Sequence, residues 1–487
     1  MKKVITILSL VGFFVILTAQ TEEPTHSMTG SLGSVTIDGT IYNQISLRPE
    51  IPVGKFGVGL DIYLYIDADG NLYKENWDFS NGKATYRTLV DKIYYLRWGR
   101  PNDDFYFQFG ALPYTTLGQG ILVNNYSNTI DYPEVRRMGL DLKAKYSGLG
   151  LEVINSDFKR IPGVSGFRAS YDILSNLQVG VSYVTDADQM SGLKDRDGDG
   201  YPDVFDHYPD IGEKWDEAEE EKDVWQNIYE ELNGNSDGFE DWFSSLPLNH
   251  NPYDPSTSDA NSISGTSIDV AYKINKNISL YSQVAQLVGK ITDDDDSIKS
   301  LGMGFVPLGV SARFGPMKFR AEYRQTSDYF IFNYWDQSYD FDRIKYDSEN
   351  EELITKESTL SNFKAMKGFY AEMSANMFNF CSIGIGYQDM RGENVDEEAN
   401  KTLLGNLNIN TSQIPKLKKA ELFYKQSNIS TLFTEESLLN TIWGYDVGLE
   451  ISDGLMLVYK GRTSYIRNSD FEIEPVNSVQ FETQFVF

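Results

Sequence analysis

The chain predicts an all-β fold: a membrane-spanning, antiparallel up-and-down barrel of about 18–20 strands, with a small helical calcium-binding insertion in one external loop. Three observations predict it. From Val35 onward, segments of roughly ten residues alternate apolar and polar side chains and are divided by turn signals. The links between these segments alternate between short and long. No segment approaches the ~20 consecutive apolar residues of a spanning helix, and mean hydropathy is −0.38, which strands tolerate because only every second side chain meets lipid.

In chain order, Met1-Lys-Lys followed by Val4 to Leu17 forms a basic start and an apolar core too short to span. Leu17-Thr-Ala19 then offers small residues for cleavage, so residues 1–19 are expected to be a signal peptide. Residues 20–32 form a short mature N-terminal segment, too short for the plug domain of an energy-coupled receptor. Residues 33–188 carry the first part of the barrel, 189–261 an acidic external insertion, and 262–487 the second part.

The strands are justified by their alternation. Clear cases are Val58 to Ile66, Phe105 to Ala111, Gln178 to Val184, Ser267 to Tyr272, Phe369 to Ala375, Ala420 to Tyr424 and Trp443 to Ile451. In Arg137 to Tyr146, Met138, Leu140, Leu142, Ala144 and Tyr146 would face lipid, while Arg137, Asp141, Lys143 and Lys145 would face the interior. Met317 to Arg324 repeats this with Lys318, Arg320, Glu322 and Arg324, and Leu455 to Thr463 with Lys460 and Arg462. The lumen would therefore be charged and wet. Arg137, Lys143, Lys318, Arg320, Arg324, Lys460 and Arg462 are its candidate selectivity residues.

About 19 strands can be counted, whereas single-chain bacterial barrels have an even number. Gly33 to Ile37, followed by the Asp38-Gly39 turn signal, can supply the missing one. Short turns include Ser147-Gly-Leu149, Gly315-Pro316 and Ser452-Asp-Gly454. Long links run from Asp67 to Arg87, Pro113 to Arg136, Asp186 to Ala260, Asp328 to Asn362 and Ser427 to Asn440. Parity puts every long link on the external side. Thr115 to Asn128 is polar and weakly charged enough to fold into the lumen as a constriction. The aromatic stretch from Tyr329 to Phe341 suits strand extensions above the membrane, with stacking on sugar rings or a partner as the alternative.

Net charge is −28, and it is uneven. Between Asp186 and Ala260 there are 22 acidic residues against 4 basic ones, so most of the excess lies in the insertion. Such a surface is a poor partner for nucleic acid and a good one for divalent cations. Asp195-Arg-Asp-Gly-Asp-Gly-Tyr-Pro-Asp-Val-Phe-Asp206 spaces oxygen ligands as calcium requires. Asp195, Asp197 and Asp199 come first, Gly200 turns the chain, Tyr201 offers its carbonyl, and Asp203 and Asp206 complete the set. A second, weaker loop holds Asn233, Asn235, Asp237 and Asp241, with Ser244 where a bidentate carboxylate would stand. Between the loops, Glu213 to Leu232 predicts a helix with Trp215, Ala218, Trp225, Ile228, Tyr229 and Leu232 near one stripe. Ca2+ is the expected cofactor.

Two resemblances add to this. The Asp195–Asp206 segment resembles a thrombospondin type 3 repeat, D-x-D-x-D-G-x-x-D-x-x-D, which implies calcium there. The closing Ser478-Val-Gln-Phe-Glu-Thr-Gln-Phe-Val-Phe487, apolar at Val479, Phe481, Phe485 and Phe487 on one face, resembles the last strand of Gram-negative outer-membrane barrels. That implies an outer-membrane protein, porin-like in passing or binding small solutes, with outer-membrane lipid and calcium as partners. The alternative is a surface adhesion or scaffold protein whose barrel is an anchor. No enzymatic site is expected, because His26, His207 and His250 all lie outside the strand segments. The lone Cys381 excludes an internal disulfide.

Overall fold

The computed structural model describes residues 27–37, 40–73, 77, 79–129, 137–158, 163–193, 201–208, 222–236, 238–246, 262–293, 297–347, 352–377, 380–392, 399–411, 414–452, 455–467 and 472–486. Among them, twenty strands build one antiparallel sheet. They are β1 (Ser27–Ile37), β2 (Thr40–Val53), β3 in two halves (Phe56–Leu60 and Ile62–Ile66), β4 (Ile93–Trp98), β5 (Phe105–Gly110), β6 (Gly139–Tyr146), β7 (Leu149–Asn155), β8 (Val164–Leu174), β9 (Leu177–Asp186) and β10 (Ile263–Lys273). There follow β11 (Ile278–Val288), β12 (Met303–Phe314), β13 (Met317–Thr326), β14 (Met366–Met377), β15 (Cys381–Arg391), β16 (Ala399–Ile409), β17 (Leu417–Ile429), β18 (Thr441–Ser452), β19 (Leu455–Arg467) and β20 (Ile473–Val486).

Each strand pairs with the next in sequence. At the end β20 meets β1, with Thr29 opposite Val486 and Leu32 opposite Thr483. Sequential pairing that returns to its first strand is the connectivity of an up-and-down barrel. The even strand number settles the parity problem. The missing strand is β1, and it begins at Ser27, so the expected N-terminal segment of 20–32 is in part strand.

The predicted strand from Val58 to Ile66 is interrupted at Asp61. Its buried carboxylate is bonded to Arg48 of β2 at 3.2 Å, and the register slips just before it. Short turns fall at one end of the sheet, with the two-residue link between β1 and β2 at the other. At Ser147-Gly148 both residues have positive φ (53° and 84°), the mirror-image turn that suits the twist of a hairpin. Long links fall at the other end, as parity requires.

Burial along the strands is the reverse of that in a water-soluble sheet. On β8 the buried residues include Arg168 and Ser170, whereas Phe167, Tyr171 and Ile173 are exposed. On β9 and β10, Ser182, Ser267 and Asp269 are buried while Val181, Tyr183, Ile268, Val270 and Tyr272 are exposed. The pattern continues with Gln283, Glu322, Arg324, Gln388 and Asp446 inside. In water this arrangement would leave a broad apolar belt uncovered.

In the insertion, α1 aside (Gly82–Asp91, in the link after β3), the described helices are α2 (Lys222–Asn233) and α3 (Phe239–Ser244). Trp225 and Tyr229 of α2 pack against Phe239 and Phe243 of α3. Ile228 and Leu232 do not join them and are exposed, a correction to the expected stripe. The short α3 covers only the line one helical turn apart through Trp225 and Tyr229. Trp215 and Ala218 lie outside the described residues.

Candidate functional site: the interior and its plug

The link after β5 turns inward because glycines let it. Gly110, Gly118 and Gly120 all have positive φ, and a Cβ on Gly118 would lie 2.7 Å from Arg168 Nε. Thr115 and Tyr126 then exchange backbone bonds of 2.8 Å in both directions, closing a loop whose Leu117, Ile121, Leu122 and Val123 are buried. The segment expected to fold inward, Thr115 to Asn128, is thus packed against buried residues of the strands.

A second segment joins it. Asn333 N–H donates to Ile121 O (2.9 Å), Trp335 N–H to Leu122 O (3.1 Å) and Asn124 N–H to Trp335 O (3.1 Å). Tyr334, Trp335 and Tyr339 have no exposed surface. The aromatic stretch from Tyr329 to Phe341 thus forms no strand extension, which corrects the expectation. Its aromatics find a drier environment inside, against the apolar loop. The two segments share one core with Ile154, Val164, Val184, Ile263 and Leu287, the inward residues at the long-link ends of β7 to β11. Those wall residues break the polar-inward alternation, the signal by which the sequence marks the height of the plug.

Charged groups anchor this plug to the wall. Glu322 Oε1 accepts from Tyr281 OH (2.7 Å) and Arg320 Nε (2.9 Å), and Glu322 Oε2 accepts from Arg324 Nε (2.7 Å). Arg320 also donates to Gln119 O at the loop tip, and Arg324 to Gln388 (2.6 Å). At the long-link end, Arg137 lies 3.6 Å from Asp340, which accepts from Tyr126 OH at 2.8 Å. Arg343 and the Tyr339 hydroxyl meet on Asp186, at 3.3 and 2.9 Å. Asp336 is bridged by Lys356 (3.5 Å) and by Lys425 of β17 (3.0 Å), so the plug is bonded to strands far apart on the wall. Burial opposes ionisation of Asp336, but Lys356 and Lys425 outweigh it and hold its carboxyl well below the usual carboxylate range.

The predicted selectivity residues divide into two groups. Arg137, Arg320 and Arg324 are consumed as plug anchors. Lys143, Lys318, Lys460 and Arg462 are not so deeply buried. Lys143 points inward near Glu152 (3.9 Å) and Thr116 O (3.5 Å). Lys318 is exposed near the Gly315-Pro316 turn. Lys460 stands opposite Asp446 in register, and Arg462 reaches Asp446 at 2.7 Å. Lys419 binds the other Asp446 oxygen at 2.8 Å. Arg462 and Lys419 keep 40% and 30% of their side-chain surface open. The Arg168–Asp269 pair (2.7 Å, both 3% exposed) joins β8 to β10 and was not among the expected site residues.

Glu357, in the same link as the plug aromatics, accepts from Gln189 at 3.1 Å, and burial pushes its carboxyl up to about 7 against that bond. A carboxyl that holds its proton more tightly folded than unfolded stabilises docking most fully below the unfolded value, and this contribution is lost as pH rises through about 7. Limited proteolysis of the 327–365 link should accordingly be faster at pH 8 than at pH 6. Glu357→Gln should remove most of that difference; an unchanged difference would exclude this carboxyl as its source.

In the first calcium loop, Asp195, Asp197 and Asp199 lie outside the described residues. Tyr201, Asp203 and Asp206 lie within them. Phe205 and Asp206 N–H donate to Pro202 O (2.8 and 3.0 Å), and Asp206 Oδ1 accepts from Tyr208 N–H at 2.7 Å. In the second, Asn233 ends α2 and its side-chain amide donates to Tyr229 O, Asn235 is exposed, Asp241 falls in α3, and Asp237 is outside the described residues. Among the described residues no group of three His, Cys, Asp or Glu gathers as a metal site.

No protein-family profile matches the chain, and no curated protein matches it. Among solved structures, it is similar to OccK11 (OpdR) of Pseudomonas aeruginosa, at 10% identity and TM-score 0.30, covering 95% of this chain and 94% of that one. It is also similar to a BenF-like porin from Pseudomonas fluorescens Pf-5 (10%, TM-score 0.30, 95% and 98% covered). A third is the siderophore receptor PirA from Acinetobacter baumannii (9%, TM-score 0.34, 96% and 81% covered).

Proposed function

We propose that the chain is an outer-membrane barrel that passes small solutes, porin-like, through a lumen narrowed by an internal plug. The observation that carries this is the reversed burial: charged and amide side chains inside, a continuous apolar face outside. Only a non-aqueous surround makes the exposed face favourable, while the buried charges are compensated by partners of opposite sign within the interior. The two in-folded links leave a polar path along β17–β19, where Lys419, Asp446, Lys460 and Arg462 set the charge seen by a solute.

The lipid-facing claim predicts that Val181→Arg, at the middle of β9 with 51% of its surface exposed, destabilises the folded barrel by about 2–4 kcal/mol. Unfolding from vesicles in urea measures it, and a cost near zero would argue against lipid at that face. Passage itself is tested by swelling of proteoliposomes in isosmotic sugars of increasing size. Swelling for small sugars and none for large ones supports a plugged pore; no swelling with any sugar opposes it.

The external insertion is proposed to bind calcium through Asp195, Asp197, Asp199, Tyr201, Asp203 and Asp206, with the Asn233–Asp241 loop as a weaker second site. The ligand spacing supports this, and an affinity in the range of weak extracellular modules, roughly 10⁻⁴–10⁻³ M, would suffice. Calorimetric titration should show calcium binding that Asp197→Ala and Asp199→Ala weaken strongly. Equal binding by wild type and both variants would remove the site.

A further inference from the structure

We infer that α1 (Gly82–Asp91) is part of the barrel wall and presents its Tyr86–Leu89 face to the acyl chains of the membrane, an inference that rests on the membrane reading above.

The wall is notched beside it. Strands β4 and β5 have six residues each, whereas β8 to β15 have ten to twelve. β4 pairs only with the lower half of β3, up to Leu60 opposite Ile93. Among the described residues the upper half of β3, Ile62–Ile66, therefore has β2 on one side and no neighbouring strand on the other. Its open edge is capped by the link itself: Tyr73 N–H donates to Tyr65 O and Trp77 Nε1–H to Tyr63 O, both at 2.9 Å. Directly below, Asp61 N–H donates to Lys92 O at 2.8 Å.

That last bond fixes the height of α1. Lys92 follows the helix immediately, and Asp61 is the midpoint of β3, so the helix ends halfway up the wall. Ten residues extend about 15 Å, the rise that the absent upper part of β4 would have supplied. A helix at that depth borders either lipid or the lumen.

Its two faces decide between them. Lys92 is buried, with its ammonium 3.7 Å from the ring centre of the inward-facing Tyr63 and 4.7 Å from that of Trp77. Thr88 is buried as well. By contrast Tyr86 and Leu89, one turn apart, are 70% and 58% exposed, and Phe79 just before the helix is 49% exposed. Buried polar groups and exposed large apolar groups are the same reversed distribution that the strands show. Facing the wet lumen, Tyr86 and Leu89 would be left in water. Facing lipid, they are buried at no structural cost.

The test uses the full chain in a Cys381→Ser background with a bimane fluorophore on single cysteines, folded into vesicles with and without brominated acyl chains. Leu89→Cys and Tyr86→Cys are the two reporters. Val181→Cys on β9 marks the strand belt, and Leu232→Cys on α2 marks the external insertion. The expected result is loss of fluorescence in brominated lipid at 89, 86 and 181, and none at 232. Quenching at 181 with none at 89 and 86 would overturn the wall role of α1 while leaving the barrel intact. Absence of quenching at 181 as well would instead overturn the membrane reading on which it rests.

Discussion

Replacing Thr116–Asn125 by a short Gly-Ser turn raises single-channel conductance severalfold and abolishes discrimination among solutes by size. The cut is structurally mild, because Thr115 and Tyr126 already face each other with two backbone bonds of 2.8 Å, so a tight hairpin turn can join them. What leaves is Leu117, Ile121, Leu122 and Val123, the apolar centre of the plug, together with the backbone partners of Asn333 and Trp335. Arg320 also loses its bond to Gln119 O. Planar-bilayer recording of variant and parent decides the matter, with heat-modifiable gel mobility showing that the barrel still forms. Equal conductance in the two would place the loop outside the ion path.

The second large effect concerns stability. Glu322→Ala removes a carboxylate that receives Tyr281, Arg320 and Arg324 and has no exposed side-chain surface. Arg324, itself 2% exposed and stacked 3.9 Å from the Tyr370 ring centre, loses its only close carboxylate among the described residues. Removing one partner of a buried ion pair costs about 3–5 kcal/mol, because the remaining charge stays buried. Lys318→Ala, exposed on the same strand, should cost under about 0.5 kcal/mol. Chemical unfolding of both variants from vesicles measures the contrast. Matching midpoints would show that the Glu322 cluster is not what holds this part of the wall.

Much of the barrel is legible in the alternation of its strands. Lys318, Arg320, Glu322 and Arg324 share one face because β13 is regular, and period two was enough to find them. The alternation also gives the end at which each link lies. It fails where a segment is apolar on both faces. Val184, Ile263 and Leu287 look like ordinary strand residues until the in-folded aromatics supply a reason for them to face inward. The same local composition of Tyr329 to Phe341 suits an extension above the sheet or a plug inside it, and only tertiary contact with Ile121 to Asn124 chooses. Arg137 was legible as an inward charge, but its partner Asp340 lies some two hundred positions away, beyond any local pattern. α1 was hidden for a related reason: Tyr86 and Leu89 belong to a helix whose surround, like that of the strands, is reversed. The calcium loop is the opposite case, sharp in spacing at Asp195 to Asp206 and resting on that spacing.

The most direct test of a plugged pore is the current carried by the intact protein in a planar bilayer. Steady ohmic steps, small for a barrel of twenty strands and enlarged when Thr116–Asn125 is excised, are the predicted result. Correctly inserted barrels that carry no current, with the loop present or excised, would contradict it.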